Sequence, residues 1–194
     1  MLRYIVFVML AEGLGIAIVA STYAALDRGL VLGAYWIVLA GACEGLLLGT
    51  AQRQTLRQLK LMPRWWVTLT ILGSAVGYGA SVLGRFGGAG GDATGEPGVL
   101  LVTVFGGGLG LLMGAILGAV QSLALPDALR RDHWIIANAL GWIPAMALIL
   151  LGAGLAEPDW TIWQVALLGG ICGATGGFCV ALATWPVLHP AVQP

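Results

Sequence analysis

The sequence predicts an all-α integral membrane protein: six transmembrane helices forming three parallel-repeat hairpins, with both termini cytoplasmic. Three observations predict it. The chain is 59% hydrophobic, has a mean hydropathy of +0.92 and carries only nine basic and nine acidic residues in 194, a composition outside that of soluble domains. Gly45-x3-Gly49-x2-Gln52 returns 69 positions later as Gly114-x3-Gly118-x2-Gln121, and Trp65 returns as Trp134 at the same interval. A gapless repeat in so apolar a chain reads as duplicated helical hairpins. Finally, a six-span reading places Arg3, Arg53, Arg57, Lys60, Arg64, Arg130 and Arg131 on one side and only Arg28 and Arg85 on the other. Basic residues concentrate in cytoplasmic loops, which sets the orientation.

A helix needs about 20 apolar residues to cross the hydrocarbon core. Six such runs fit, at residues 4–25, 31–51, 65–83, 99–123, 134–155 and 161–186. They make a single membrane domain over 1–194, with hairpins at about 1–52, 65–123 and 134–186. The first span opens with Arg3-Tyr4 and carries Glu12 in mid-run, which argues against a cleaved signal peptide. The second ends at Gln52 and leads into Arg53, Arg57, Lys60 and Arg64, whose spacing makes a basic turn that lies against anionic lipid and implies no nucleic acid. The third opens with Trp65-Trp66 and carries the stripe Thr70, Ser74, Tyr78 and Ser81. The glycine-rich stretch 84–98 reads as an external loop, since no Lys-Ser/Thr pair follows to make a phosphate cradle. The fourth span ends at Gln121, the fifth opens with Trp134 and is expected to kink at Pro144. Trp160 and Trp163 begin the sixth and Trp185 ends it, so the eight tryptophans read as interfacial belts.

Glycines recur every fourth residue on the even-numbered spans: Gly41, Gly45 and Gly49; Gly106, Gly110, Gly114 and Gly118; Gly169, Gly173 and Gly177. Such spacing puts them on one helix face. Lipid offers helices no hydrophobic drive to associate, so close backbone approach must supply it. These faces are expected to meet one another or the odd-numbered spans. In the sixth span Val180 stands where Gln52 and Gln121 stand in the others.

Glu12 and Glu44 are the leading candidates for chemistry. Each lies eight residues from a helix end marked by Tyr4 or Gln52, hence about 12 Å deep on neighbouring antiparallel helices. An ionised carboxylate there costs roughly 3 kcal/mol or more, and no Lys, Arg or His lies at that depth to neutralise it. Two carboxyls sharing a proton is the expected state. Ser74 reaches a similar level, so Glu12, Glu44 and Ser74 could bind a proton, a cation or a small polar solute. Alternatively the acids only fix packing. Met113 and Cys172 occupy the positions corresponding to Glu44, which excludes a threefold ring of carboxylates. Gln52 and Gln121 could cap helix ends, bond the next hairpin, or contact a headgroup, pigment or partner.

Cys43, Cys172 and Cys179 read as buried free thiols, and no metal ligand set is expected. His133 and His189 both sit at the cytoplasmic edge, which rules out a bis-His haem between helices. No paired nucleophile and base lies in the spans, so an enzyme is the least supported class.

Gly45-x3-Gly49-x2-Gln52 with Trp65-Trp66, and Gly114-x3-Gly118-x2-Gln121 with Trp134, resemble the repeated Gly-x3-Gly-x2-Gln and Trp-Trp hairpins of small bacterial inner-membrane proteins. The resemblance covers about half the chain; it implies a multi-pass inner-membrane location and brings no site residues with it. In size, and in the short Gly-Ala-Thr-Gly-Gly-Phe run at 173–178, the chain is also similar to vitamin-binding subunits of energy-coupling transporters and to small solute channels. Three functions are expected in descending order. The first is an accessory or structural subunit docked on other membrane subunits. The second is a small-solute or proton-coupled transporter or channel using Glu12 and Glu44. The third is a pigment- or quinone-binding protein; no particular cofactor is implied.

Overall fold

The computed structural model describes residues 1–31, 33–61, 63–86, 98–127 and 129–188, with side chains in the third segment described as far as 82. The glycine-rich stretch 87–97, the Arg85 side chain and His189 lie outside the described residues. Six helices account for most of the rest: α1 (Leu2–Asp27), α2 (Tyr35–Gln58), α3 (Trp66–Phe86), α4 (Val99–Ser122), α5 (Arg131–Ala153) and α6 (Ile162–Leu188). Four of them, α1, α4, α5 and α6, are long and apolar enough to cross a membrane. In α3 the described side chains give an apolar stretch over Trp66–Val82.

The helix ends differ from the expected spans in instructive places. Helix α2 continues to Gln58, six residues past Gln52, because Arg53-Gln54-Thr55-Leu56-Arg57-Gln58 holds mostly good helix formers. It stops in a Schellman-type turn, with Lys60 N–H bonded to Arg57 O at 3.0 Å and Leu61 N–H to Leu56 O at 2.8 Å. That turn requires a left-handed residue, and Lys60 takes the position at φ 60°. Helix α5 runs on through Pro144, and α6 through Pro186.

The helices neighbour one another in chain order, α6 returns to α1, and the contact between α3 and α4 is the slightest of the six. The glycine faces of the even helices meet odd helices. A Cβ on Gly45 or Gly49 would lie 2.8 Å from Thr70 O or 3.0 Å from Thr70 Cβ, so α2 is pressed onto α3. On Gly106, Gly114 or Gly118 it would lie 2.9 Å from Ala147 Cα, 2.6 Å from Asn138 O or 3.0 Å from Ile135 Cα, pressing α4 onto α5. On Gly169, Gly173 or Gly177 it would lie 2.7 Å from Ala20 Cβ, 2.6 Å from Glu12 O or 2.8 Å from Glu12 Cβ, pressing α6 onto α1. Gly41 and Gly110 similarly abut Tyr78 and the Trp142 carbonyl. The glycine faces of the even helices therefore pair α2 with α3, α4 with α5 and α6 with α1, one helix out of step with the expected hairpins; α5 and α6 of the third expected hairpin are also close, since a Cβ on Gly141 would lie 2.9 Å from Val180 Cα.

These pairs also correct the reading of the tryptophans as belts. Trp65 and Trp163 are exposed, but Trp66, Trp134 and Trp142 are buried in the protein. Trp66 and Trp134 meet edge to face with ring centroids 5.3 Å apart. The residue matching Trp134 is thus Trp66, because the first linker is one residue longer than the gapless alignment allows.

Candidate functional site

The two ends of the bundle are built differently. At the end carrying the chain termini, hydrogen-bonding side chains link α2, α3, α4 and α5, and a separate pair links α1 to α6. Gln121 Nε2 donates to Gln52 Oε1 at 2.8 Å and to Thr70 Oγ1 at 3.0 Å. Trp66 Nε1 donates to Gln52 Oε1 at 3.3 Å, and Trp134 Nε1 to Gln121 Oε1 at 3.1 Å. Thr70 and Asn138 each donate back one turn, to the carbonyls of Trp66 at 2.8 Å and Trp134 at 2.9 Å. The Thr184 hydroxyl donates to Val180 O at 2.7 Å, so in the 2.7 Å pair between Tyr4 and Thr184 the phenol is the donor. Gln52 Nε2 faces the Tyr4 oxygen without completing a hydrogen bond. Gln52 and Gln121 are therefore both fully buried among the helices. Leu56, Leu125, Leu129 and Leu188, buried with Tyr4 and the two tryptophans, close this end with apolar packing.

About two turns further from the termini lie the acids. Glu12 is 2% exposed and Glu44 3%, and each lies within electrostatic reach of the other. Glu12 is set against α6 at Gly177, and Glu44 against α1 at Gly15, where a Cβ would lie 2.6 Å from Glu44 Cγ. Both glycines are small enough to admit a carboxyl-bearing stem into a close helix contact. Glu12 Oε1 is buried and has no hydrogen-bond partner, and the same holds for Trp142 Nε1 on α5.

Of the residues expected in this layer, Glu12 and Glu44 come together. Ser74 is buried beside Gly45, where a Cβ would lie 2.9 Å from its own Cβ. Tyr78, one turn further along α3, packs its ring against α2 at Gly41, one turn from Glu44. Tyr78 stood with Ser74 in the polar stripe read from the sequence. Trp142, Asn138 and the Tyr4–Thr184 pair carried no signal, since their partners lie on helices remote in sequence. Among the described residues no group of three His, Cys, Asp or Glu side chains is placed to hold a metal ion.

The fold and this layer define a class: an all-helical membrane protein with two carboxyl groups buried among its helices. No protein-family model, curated protein or solved structure matches the chain. Its function has to be argued from these residues.

Proposed function

We propose that the chain is a six-span, multi-pass protein of a bacterial inner membrane, with both termini cytoplasmic, that binds a proton or small cation at the Glu12–Glu44 pair as a small-solute or proton-coupled transporter or channel. The observation that carries this reading is the pair itself, two carboxyl groups buried in one layer with Glu12 Oε1 unpartnered. Burial of an acid in a membrane helix costs roughly 3 kcal/mol. Packing alone does not demand it: the positions corresponding to Glu44 on α4 and α6 hold Met113 and Cys172. The excess of basic residues near the termini and in the loops after α2 and α4 supports the orientation. The likeness of the Gly-x3-Gly-x2-Gln hairpins to bacterial inner-membrane proteins supports the location.

The test is reconstitution in liposomes under a pH gradient, with an infrared difference spectrum of the carboxyl stretch across the same pH range. Glu12→Gln and Glu44→Gln are each expected to lose part of the proton-dependent carboxyl band and reduce gradient-driven flux, and the double variant to lose both. Unchanged spectra and flux in the double variant would overturn the reading.

A second reading, an accessory subunit docked on a larger membrane complex, is favoured by α4. It is the least buried of the four long apolar helices and makes only slight contact with α3. Leu100, Leu101, Val104, Phe105 and Leu112 all face outward along it. Extraction from native membranes in mild detergent tests this, because a docked subunit must copurify with a stable partner and a lone chain would not.

A further inference from the structure

We infer that Glu12, Asn138 and Trp142 form a site at the centre of the bundle for a small uncharged amide, with urea as the simplest of the class. The inference rests on the transporter reading above and gives its solute a chemistry.

The six helices close into a ring, α1 through α6 and back to α1. Within it the pairs α2–α3, α4–α5 and α6–α1 repeat one set of contacts. In each, an aromatic side chain donates to a polar one on the paired helix: Trp66 to Gln52, Trp134 to Gln121 and Tyr4 to Thr184. Eight residues on from these aromatics stand Ser74, Trp142 and Glu12. A Cβ on Gly45 would lie 2.9 Å from Ser74 Cβ, one on Gly114 2.8 Å from Trp142 Cβ, and one on Gly177 2.8 Å from Glu12 Cβ. The same three would lie 2.8, 2.6 and 2.9 Å from the carbonyl oxygens of Thr70, Asn138 and Val8. The three side chains therefore leave their helices in the same way, related by an approximate threefold axis.

Equivalent residues of different pairs meet at that axis. The Trp66 and Trp134 rings pack together there although α3 and α5 are not neighbours in the ring, and Gln121 on α4 bonds Gln52 on α2. Two turns further from the termini, the same relation brings Glu12, Ser74 and Trp142 to one level around the axis. Trp142 is buried in one core with Val8 and Leu48, which lie one turn from Glu12 and Glu44.

Hydrogen bonding at this level is incomplete. Glu12 Oε1 and Trp142 Nε1 are buried without a partner, and so is Asn138 Oδ1, one turn from Trp142 on the same face of α5. Buried polar atoms of folded proteins are almost always bonded, so three in one region call for an occupant. The indole nitrogen can only donate, and the side-chain amide oxygen can only accept. Asn138 Nδ2 is committed to Trp134 O at 2.9 Å, which leaves the oxygen as the free atom. One donor and two acceptors fit a molecule that accepts once and donates twice. A carboxamide or urea does both, with its carbonyl for Trp142 and its N–H groups for Glu12 and Asn138. An ammonium or metal ion accepts no hydrogen bond and leaves the indole N–H alone. A simple alcohol has a single O–H and reaches only one of the two oxygens.

Urea titrated into the detergent-solubilised protein, with isotope-labelled indole nitrogens, is the direct test. The Trp142 N–H resonance is identified by its loss in Trp142→Phe, which keeps an aromatic ring. It should shift saturably with urea, and ammonium chloride at the same pH should leave it in place. Saturable uptake of labelled urea by proteoliposomes should fall about tenfold in Trp142→Phe and in Asn138→Leu, each having lost one hydrogen bond. Trp163→Phe, at an exposed position, should leave uptake unchanged. A resonance unmoved by urea means a site filled by water alone and overturns the inference. An equal shift with ammonium overturns it in favour of a cation, and undiminished uptake in both variants overturns it as well. The proton reading stands or falls separately, on whether the carboxyl band titrates.

Discussion

Gln121 donates a 2.8 Å hydrogen bond to Gln52, the residue 69 positions earlier that occupies the same place in the sequence repeat. Identical residues have thus taken opposite roles: one amide gives both its hydrogens, and the other accepts twice through a single oxygen. Gln121 makes three side-chain bonds in all. Polar bonds between membrane helices average about 0.6 kcal/mol, so Gln121→Ala should cost about 2 kcal/mol. A double-mutant cycle with Gln52→Ala, read by unfolding in detergent, should give a positive coupling of about 0.6 kcal/mol. Strict additivity would mean the bond contributes nothing.

Two glycines on α4 make an internal comparison. A methyl on Gly110 would collide with the Trp142 carbonyl oxygen, whereas one on Gly108 would meet nothing within 4 Å. Backbone cannot swing aside as a flexible side chain can, so Gly110→Ala must push α4 off α5. It should lose about 1–3 kcal/mol. Gly108→Ala should gain about 0.5–1 kcal/mol through helix propensity. Thermal unfolding of the two purified variants checks the sign, and equal shifts would refute close packing along this face.

Much of this was legible from the residues. Four-residue glycine spacing marked the packing faces, and depth counting brought Glu12 and Glu44 to one level. Other parts were hidden by topology. Counting from each glutamine, the buried tryptophan comes 14 residues on at Trp66 but 13 on at Trp134, so a gapless alignment selects Trp65 instead. The α6–α1 contact joins the ends of the chain. Seen across it, Tyr4-Val8-Glu12 repeats the four-residue spacing of Trp66-Thr70-Ser74 and Trp134-Asn138-Trp142. Each middle residue meets the corresponding glycine, Gly177, Gly49 or Gly118. Periodicity within one helix carries no information about which distant helix it will meet.

The tryptophan doublet separates an interfacial ring from a core ring. Trp65 is exposed and lies under the Arg64 guanidinium at 5.5 Å, while Trp66 is buried against Trp134. Trp66→Ala should cost about 3–5 kcal/mol, as truncation of a buried aromatic does. Trp65→Ala should cost less than about 1 kcal/mol, the size of an exposed cation–π contact. Denaturation midpoints measured side by side decide whether the doublet is one anchor or two different parts.

Glu12 distinguishes a binding residue from a packing one. Its Oε1 makes no hydrogen bond, so Glu12→Gln removes an acid without breaking a known contact at that atom. The expected change in stability is within about 0.5 kcal/mol, below the worth of a typical buried hydrogen bond. Proton uptake should nevertheless fall. Loss of stability comparable to that of Gln121→Ala would instead assign Glu12 to holding α1 against its neighbours.

Lys60 offers a stability gain away from the acids. It closes the α2 C-terminus at φ 60°, a conformation that costs a residue with a Cβ roughly 1–2 kcal/mol and glycine almost nothing. Opposing this, removal of a cation from a helix C-terminus forfeits about 0.3–1 kcal/mol, and Arg57 remains in the last turn to offset part of that. The conformational gain is the larger, so Lys60→Gly should stabilise the protein by about 0.5–1 kcal/mol. Gln58→Gly, two residues earlier and exposed in the last helical position, should instead destabilise by about 0.5–1 kcal/mol. Opposite shifts in the midpoint of thermal unfolding would establish the left-handed turn; a loss of stability in both variants would show that the chain leaves α2 by another path.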